Sequence, residues 1–341
     1  MKRFLCVLLL VCTVLSGCAA GGEEQGLKQY NATFLTLFDT VTTVVGRAES
    51  KEVFAENAQL VHDELLILHQ FFDIYNDYDG LNNLKTVNDN AGVAPVTVEP
   101  VIIELLLDCR EYYDLTGGRV NVAMGSVLKL WHDARNAGIN DPANAALPDA
   151  AALEEASKHC DFANVIIDEE ASTVFLSDPK MRLDVGAVAK GWAVQHVAQS
   201  APTGLLISVG GNVCPTGPKD ESGTPWVVGI QNPDSDGYLH TIYTAADSVV
   251  TSGDYQRTYL VDGKLYHHII DPDTLYPSGY WRSVTIVCAD SGLADALSTA
   301  LFLLPMAEGQ TLLDACEAEA MWVDGEGQQY YSPGFQTLIR T

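Results

Sequence analysis

Basic residues are scarce in this chain of 341 residues. Lys and Arg number 19 against 45 Asp and Glu, a formal charge of −26 with histidine neutral. A surface this acidic repels phosphate backbones and anionic headgroups, which excludes nucleic-acid binding and simple electrostatic docking on lipid. Zinc-type spacing is also missing. None of the eight cysteines forms a Cys-x-x-Cys pair, and no His-x-x-x-His occurs among the eight histidines. There is no Walker phosphate loop, no internal repeat and no low-complexity run. With 28 glycines, 14 prolines and 47% apolar residues, the chain is neither fibrous nor wholly disordered. An acidic protein of this kind needs local help from a metal, a lysine or backbone amides to hold a phosphorylated ligand.

The N-terminus reads as an address. Lys2 and Arg3 precede an apolar run from Phe4 to Leu15, too short for a comfortable membrane span and typical of a signal peptide. The ending Leu15-Ser16-Gly17-Cys18 resembles the bacterial lipobox. That implies removal of residues 1–17, lipidation of Cys18, a tether over residues 18–30 and a place on the extracytoplasmic face of the cell membrane. Without Lys2 and Arg3 the mature chain carries 17 basic and 45 acidic residues, a charge of −28. The five cysteines beyond Cys18 sit among apolar residues, as buried core thiols do, and one disulfide stays open.

Residues 34–47 are β-branched and predict an opening strand, 51–72 show the three-and-four apolar spacing of a long helix, and 73–95 read as loop. Further helices are expected at 98–115, 151–159, 188–199, 293–304 and 311–317. A hairpin is expected at 163–176. Strands are expected at 204–209, 226–231, 238–243, 248–252, 257–261, 265–270, 283–289, 320–323 and 328–331. The pattern is α+β: one compact domain over residues 31–341, a largely antiparallel sheet flanked by helices.

Four segments carry chemistry. Asp184 to Gly191 runs from strand to glycine turn to helix, where free amides could hold an anion and Lys190 could add a charge; a packing corner explains it equally well. Paired glycines at 210–211 read as a tight turn. His267 and His268 are adjacent in an expected strand, so one faces inward and needs a partner, as a core histidine does. Asp295, Ser298 and Thr299 share one helix face, a hard-oxygen set suited to Mg²⁺; the competing reading is a carboxylate near a helix N-terminus.

Together DVGAVAKGWAV, LISVGGNV, TSGDYQRTYLVDGKLYHHIIDPDT and ADALSTALF, with LFDTVTTVVG, FFDIYNDYDGLNNLK and LTGGRVNVAMGSVLKLW upstream, resemble the ApbE-type FAD:protein FMN transferases over roughly residues 35–335. The resemblance implies that family's α+β fold, FAD as substrate and Mg²⁺ as cofactor. It implies transfer of FMN through its phosphate to a threonine of an exported flavoprotein or electron-transfer subunit, with release of AMP. It places Asp184, Lys190, Phe38, Tyr75, Arg119, Val120, Asn121, His268 and Ile269 at FAD. Ala187 (through its carbonyl), Asp295, Thr299 and Ser298 fall at the metal. Catalytic roles fall to Asp254, His268 and Asp295, with Asp254 in a loop suited to proton transfer from the acceptor. The chain departs from the family's usual pattern at residues 120–123, at Asn212 and at Leu275, where glycine is usual. An FAD pyrophosphatase giving FMN and AMP, and a lipid-anchored flavin-binding protein without turnover, remain open beside the transferase.

Overall fold

The computed structural model describes residues 27–340. The expected signal peptide and Cys18 lie outside those residues. Eight strands form the main sheet, numbered here along the chain: β1 (Lys28–Leu37), β2 (Thr40–Ala48), β3 (Leu205–Val209), β4 (Asn212–Pro215), β5 (Ser248–Gly253), β6 (Ser283–Cys288), β7 (Glu319–Val323) and β8 (Gln329–Tyr331). They lie side by side in chain order, and every neighbouring pair is antiparallel. The sheet is thus a meander whose connections carry everything else.

The two-residue side-chain period divides the sheet's contacts between two cores. Val44, Ile207, Val250, Val284, Ile286 and Trp322 face the main core. Val249, Val287, Met321 and Val323 face a second one, closed by the hairpin Trp226–Gln231/Tyr238–Thr244 and by Phe335. The connection from β2 to β3 supplies α1 (Lys51–Phe72), α2 (Leu84–Asp89), α3 (Pro100–Leu115), α4 (Gly125–Asn140), α5 (Ala150–Ser157) and α6 (Ala189–Ser200). Helices α7 (Ser291–Phe302) and α8 (Met306–Asp314) connect β6 to β7. A third cluster, with Val127, Trp131, Leu153, Tyr259 and Val261, makes a side lobe from α4, α5 and the hairpin Tyr259–Val261/Lys264–Tyr266.

Several expectations change. The opening strand is a hairpin, turned at Phe38 and Asp39, both left-handed (φ 51° and 52°). Its first strand begins at Lys28, inside the expected tether. The loop at 73–95 contains α2, started by an Asn83–Thr86 capping box. Helix α4 was not expected: it has no capping side chain, and its first residue, Gly125, packs where a Cβ would lie 2.5 Å from the Arg182 carbonyl. His267 and His268 follow the hairpin in irregular chain rather than lying in a strand. All five cysteines of the described residues are free thiols.

Candidate active site

Helices α6 and α7 meet below the sheet at a spot where only glycine fits. A Cβ on Gly191 would lie 2.3 Å from the Ser291 carbonyl and 2.5 Å from the Asp295 Cβ. This close approach brings Asp295, 3% exposed, onto the first turn of α6. Its Oδ2 accepts the Gly191 amide at 2.9 Å and the Lys190 ammonium at 3.3 Å. Lys190 also donates to the Gly186 carbonyl at 3.0 Å. Asp295 therefore stabilises a helix N-terminus, but that of α6 rather than its own helix. Burial raises its pKa and the lysine opposes the shift.

Above this contact lies a cleft of about 1580 Å³ counting its open mouth. That exceeds the ~300–1,000 Å³ of a drug-sized pocket and leaves room for a dinucleotide. Phe38, Tyr75, Arg119, Val120, Asn121, Asp184, Ala187, Lys190, His268, Ile269, Asp295 and Thr299 all line it. They come from distant parts of the chain, joined because the meander returns each connection to the same end of the sheet. Aromatic walls come from two sources: Phe38 and Phe72 belong to the main core, and Trp131, Tyr259 and Tyr266 to the side lobe.

Two candidates are not brought in. Asp254 does not line the cleft; its carboxylate is held by Arg282 Nε at 2.9–3.0 Å, and Arg282 also binds Asp234 at 2.8 Å. An ion-paired carboxylate outside the cavity is a poor proton acceptor for a substrate within it, so Asp254 is withdrawn as catalytic. Ser298 is fully buried and spends its hydroxyl on Ser252 (2.8 Å) and on the Asp295 carbonyl (2.9 Å), so it is withdrawn as a metal ligand. Ser252, not foreseen, lines the cleft in its place.

The histidine pair divides its work. His267 bonds the Ser278 carbonyl (2.8 Å) and accepts the Ile269 amide (3.2 Å), the expected satisfied core histidine. His268 lines the cleft, and its Nδ1 is buried without a partner. Burial, followed by the positive charges of Arg257 and Lys190, pulls its pKa down to about 3. Tyr75 stacks on His132 at 4.9 Å, and its hydroxyl is pushed up to about 12, first by burial and then by Asp184.

A search for relatives matches the ApbE family model over residues 38–322. The chain belongs to the ApbE family. It is 33% identical over 324 residues to the FAD:protein FMN transferase of Treponema pallidum (strain Nichols), covering 89% of this chain and 86% of that protein. A second FAD:protein FMN transferase, from Klebsiella pneumoniae (strain 342), is 32% identical over 261 residues, 73% of this chain and 78% of that one. The crystal structure of the ApbE protein from Thermotoga maritima superposes with a TM-score of 0.80 at 28% identity, covering 92% of this chain and all of that one. The flavin transferase ApbE from Vibrio cholerae shares the fold, with a TM-score of 0.73 at 22% identity over 92% and 99% of the two chains.

Within this ApbE-family chain the departures have local explanations. Leu275 takes the left-handed conformation (φ 63°) that glycine adopts freely, at about 1–2 kcal/mol for an L residue. It is fixed there by its amide on the Asp271 carbonyl (2.8 Å) and by Trp131 Nε1 on its own carbonyl (2.9 Å). Asn121 gives its side chain to the Cys160 carbonyl (2.9 Å) and the Ala123 amide (2.9 Å). Asn212 is buried beyond the Gly210–Gly211 turn and bonds back to Val209 (3.0 Å), so that segment is a hairpin and not a ligand loop. The reading of the sequence missed Arg135 and Arg257, which also line the cleft. Two cations in so acidic a chain were the available signal.

Proposed function

We propose that this protein transfers FMN from FAD to a threonine hydroxyl of an acceptor protein and releases AMP. The observation that carries the reading is the convergence of Asp184, Lys190, His268, Asp295 and Thr299 on one cleft with aromatic walls, in a chain of the ApbE family. FAD has two aromatic ends and a diphosphate with about two negative charges. The aromatic walls suit the rings, and the cations beside Asp295 suit the diphosphate.

The oxygen donors fit Mg²⁺: the Asp295 carboxylate, the Thr299 hydroxyl and the Ala187 carbonyl would hold it. Among the described residues no group of three or more His, Cys, Asp or Glu side chains gathers. The remaining ligands would thus be phosphate oxygens and water, as Mg²⁺ usually keeps. When bound, the ion would neutralise charge on the diphosphate and on the departing AMP. The protein's own part is positioning. Gly191 locks α6 against α7 and holds Lys190 and Asp295 in register, and the aromatic walls orient the rings. The threonine oxygen forms a bond to the FMN phosphorus as the bond to the AMP oxygen breaks. His268, kept neutral by burial, is the group placed to take the threonine proton.

The anchor belongs to the same proposal. Lipidated at Cys18, the enzyme would meet acceptors on the outer face of the membrane, exported flavoproteins or electron-transfer subunits. Cys18→Ala should shift the protein from membrane to soluble fractions, and unchanged fractionation would reject the anchor. The activity is tested by mixing protein, FAD and Mg²⁺ with and without a threonine-bearing acceptor. A fluorescent flavin band on the acceptor is expected. FMN and AMP formed equally well without acceptor would make it a pyrophosphatase, and no product a flavin carrier.

A further inference from the structure

Four basic side chains line the cleft, and two are already neutralised. Arg119 pairs with Asp271 (3.5 Å) and Asp273 (2.7 Å), and Lys190 with Asp295 (3.3 Å). Arg135 and Arg257 form no ion pair among the described residues. Arg135, on α4, donates from Nη2 to His132 Nδ1 at 3.1 Å, and His132 stacks on Tyr75, so the guanidinium is aimed by a neutral ring. Arg257, in the loop after β5, makes one long contact to the Phe38 carbonyl (3.4 Å) from a left-handed backbone (φ 47°). Burial and then Arg257 hold the Arg135 guanidinium below its usual range, so the two cations destabilise one another. Arg257 also bears electrostatically on His268 and Asp295, which sets it at the phosphate end of the cleft. Strain and unpaired like charges kept together in a cavity are features that an anionic ligand offsets.

We propose that Arg135 and Arg257 form a guanidinium pair that binds the diphosphate of the flavin dinucleotide without a metal, as a second anion subsite beside Asp295 and Thr299. The inference rests on the flavin-transferase reading above. Two forks reaching in from separate elements, α4 of the side lobe and the loop after β5, match the several oxygens of a diphosphate better than a single carboxylate.

Flavin-fluorescence titrations of the full-length protein in EDTA, with riboflavin, FMN and FAD, test it. Arg135→Gln and Arg257→Gln should each weaken FAD and FMN by about 10–100-fold, the worth of a charge-assisted hydrogen bond, and leave riboflavin unchanged. Lysine at either position should restore part of the loss. Equal loss of riboflavin would show damage to the ring pocket instead of a lost phosphate contact, and would overturn the pair. Unchanged FAD affinity with a raised KM for acceptor would show that the arginines read acceptor carboxylates, and would also overturn it. Wild-type protein that binds no flavin would reject the transferase reading itself, and the pair with it. Wild-type binding with indifferent variants rejects the pair alone.

Discussion

Replacing Asp295 by alanine removes the acceptor of the Gly191 amide and leaves Lys190 without its ion pair. A buried donor left unsatisfied costs about 1–3 kcal/mol, within what a domain of this size tolerates. Asp295→Asn keeps an oxygen for the amide and loses only the charge. Asn should therefore unfold in urea close to wild type and Ala earlier, while both lose turnover. Turnover retained in Asn would contradict the role of the charge. His268 gives a prediction in pH. Its folded pKa of about 3 lies below the ~6.5 of an unfolded histidine. The unfolded chain takes up the extra proton between those values, so stability is intact above about pH 6.5 and falls as pH drops towards 3. Between pH 7 and 5, wild type should lose up to about 2 kcal/mol more than His268→Gln. Parallel curves would mean that His268 is not buried neutral.

Elements with strong local signals were legible. Helix α1 has the bounds that its apolar spacing gives, and Ser50 caps it by accepting the Val53 amide. Helix α4 was not legible because no side chain caps it and Gly125 opens it for a tertiary reason, contact with Arg182. The segment at 265–270 carries a strand's composition, but pairing stops at Tyr266, and His267 bonds a loop carbonyl where a ladder partner would be. The family motifs located most of the cleft. They could not show that the hydroxyl of Ser298 is consumed by Ser252, or that Asp254 is consumed by Arg282, because partners distant in sequence decide both. At the α6–α7 contact, Gly191→Ala sets a methyl against backbone and should destabilise by about 1–3 kcal/mol. The same change should lower turnover by moving Lys190 off Asp295, although the new group carries no chemistry. A variant with wild-type turnover would show that the register of the two helices does not matter.

At the scale of the molecule, a chain of charge −26 concentrates Arg119, Arg135, Lys190 and Arg257 in one cleft. The antiparallel meander makes this possible by returning each long connection to one end of the sheet. The acidic exterior disfavours other phosphate-bearing polymers while the cleft accepts a small one. Chelation should then weaken catalysis more than folding, because the described core is built from apolar side chains and helix contacts and not around an ion. The central claim is phosphoryl transfer, and mass spectrometry of a threonine-bearing acceptor incubated with protein, FAD and Mg²⁺ tests it most directly. The account predicts one threonine heavier by the mass of FMN less one water, absent in Asp295→Asn. An FAD-sized adduct, or flavin joined through a ring carbon, would contradict it.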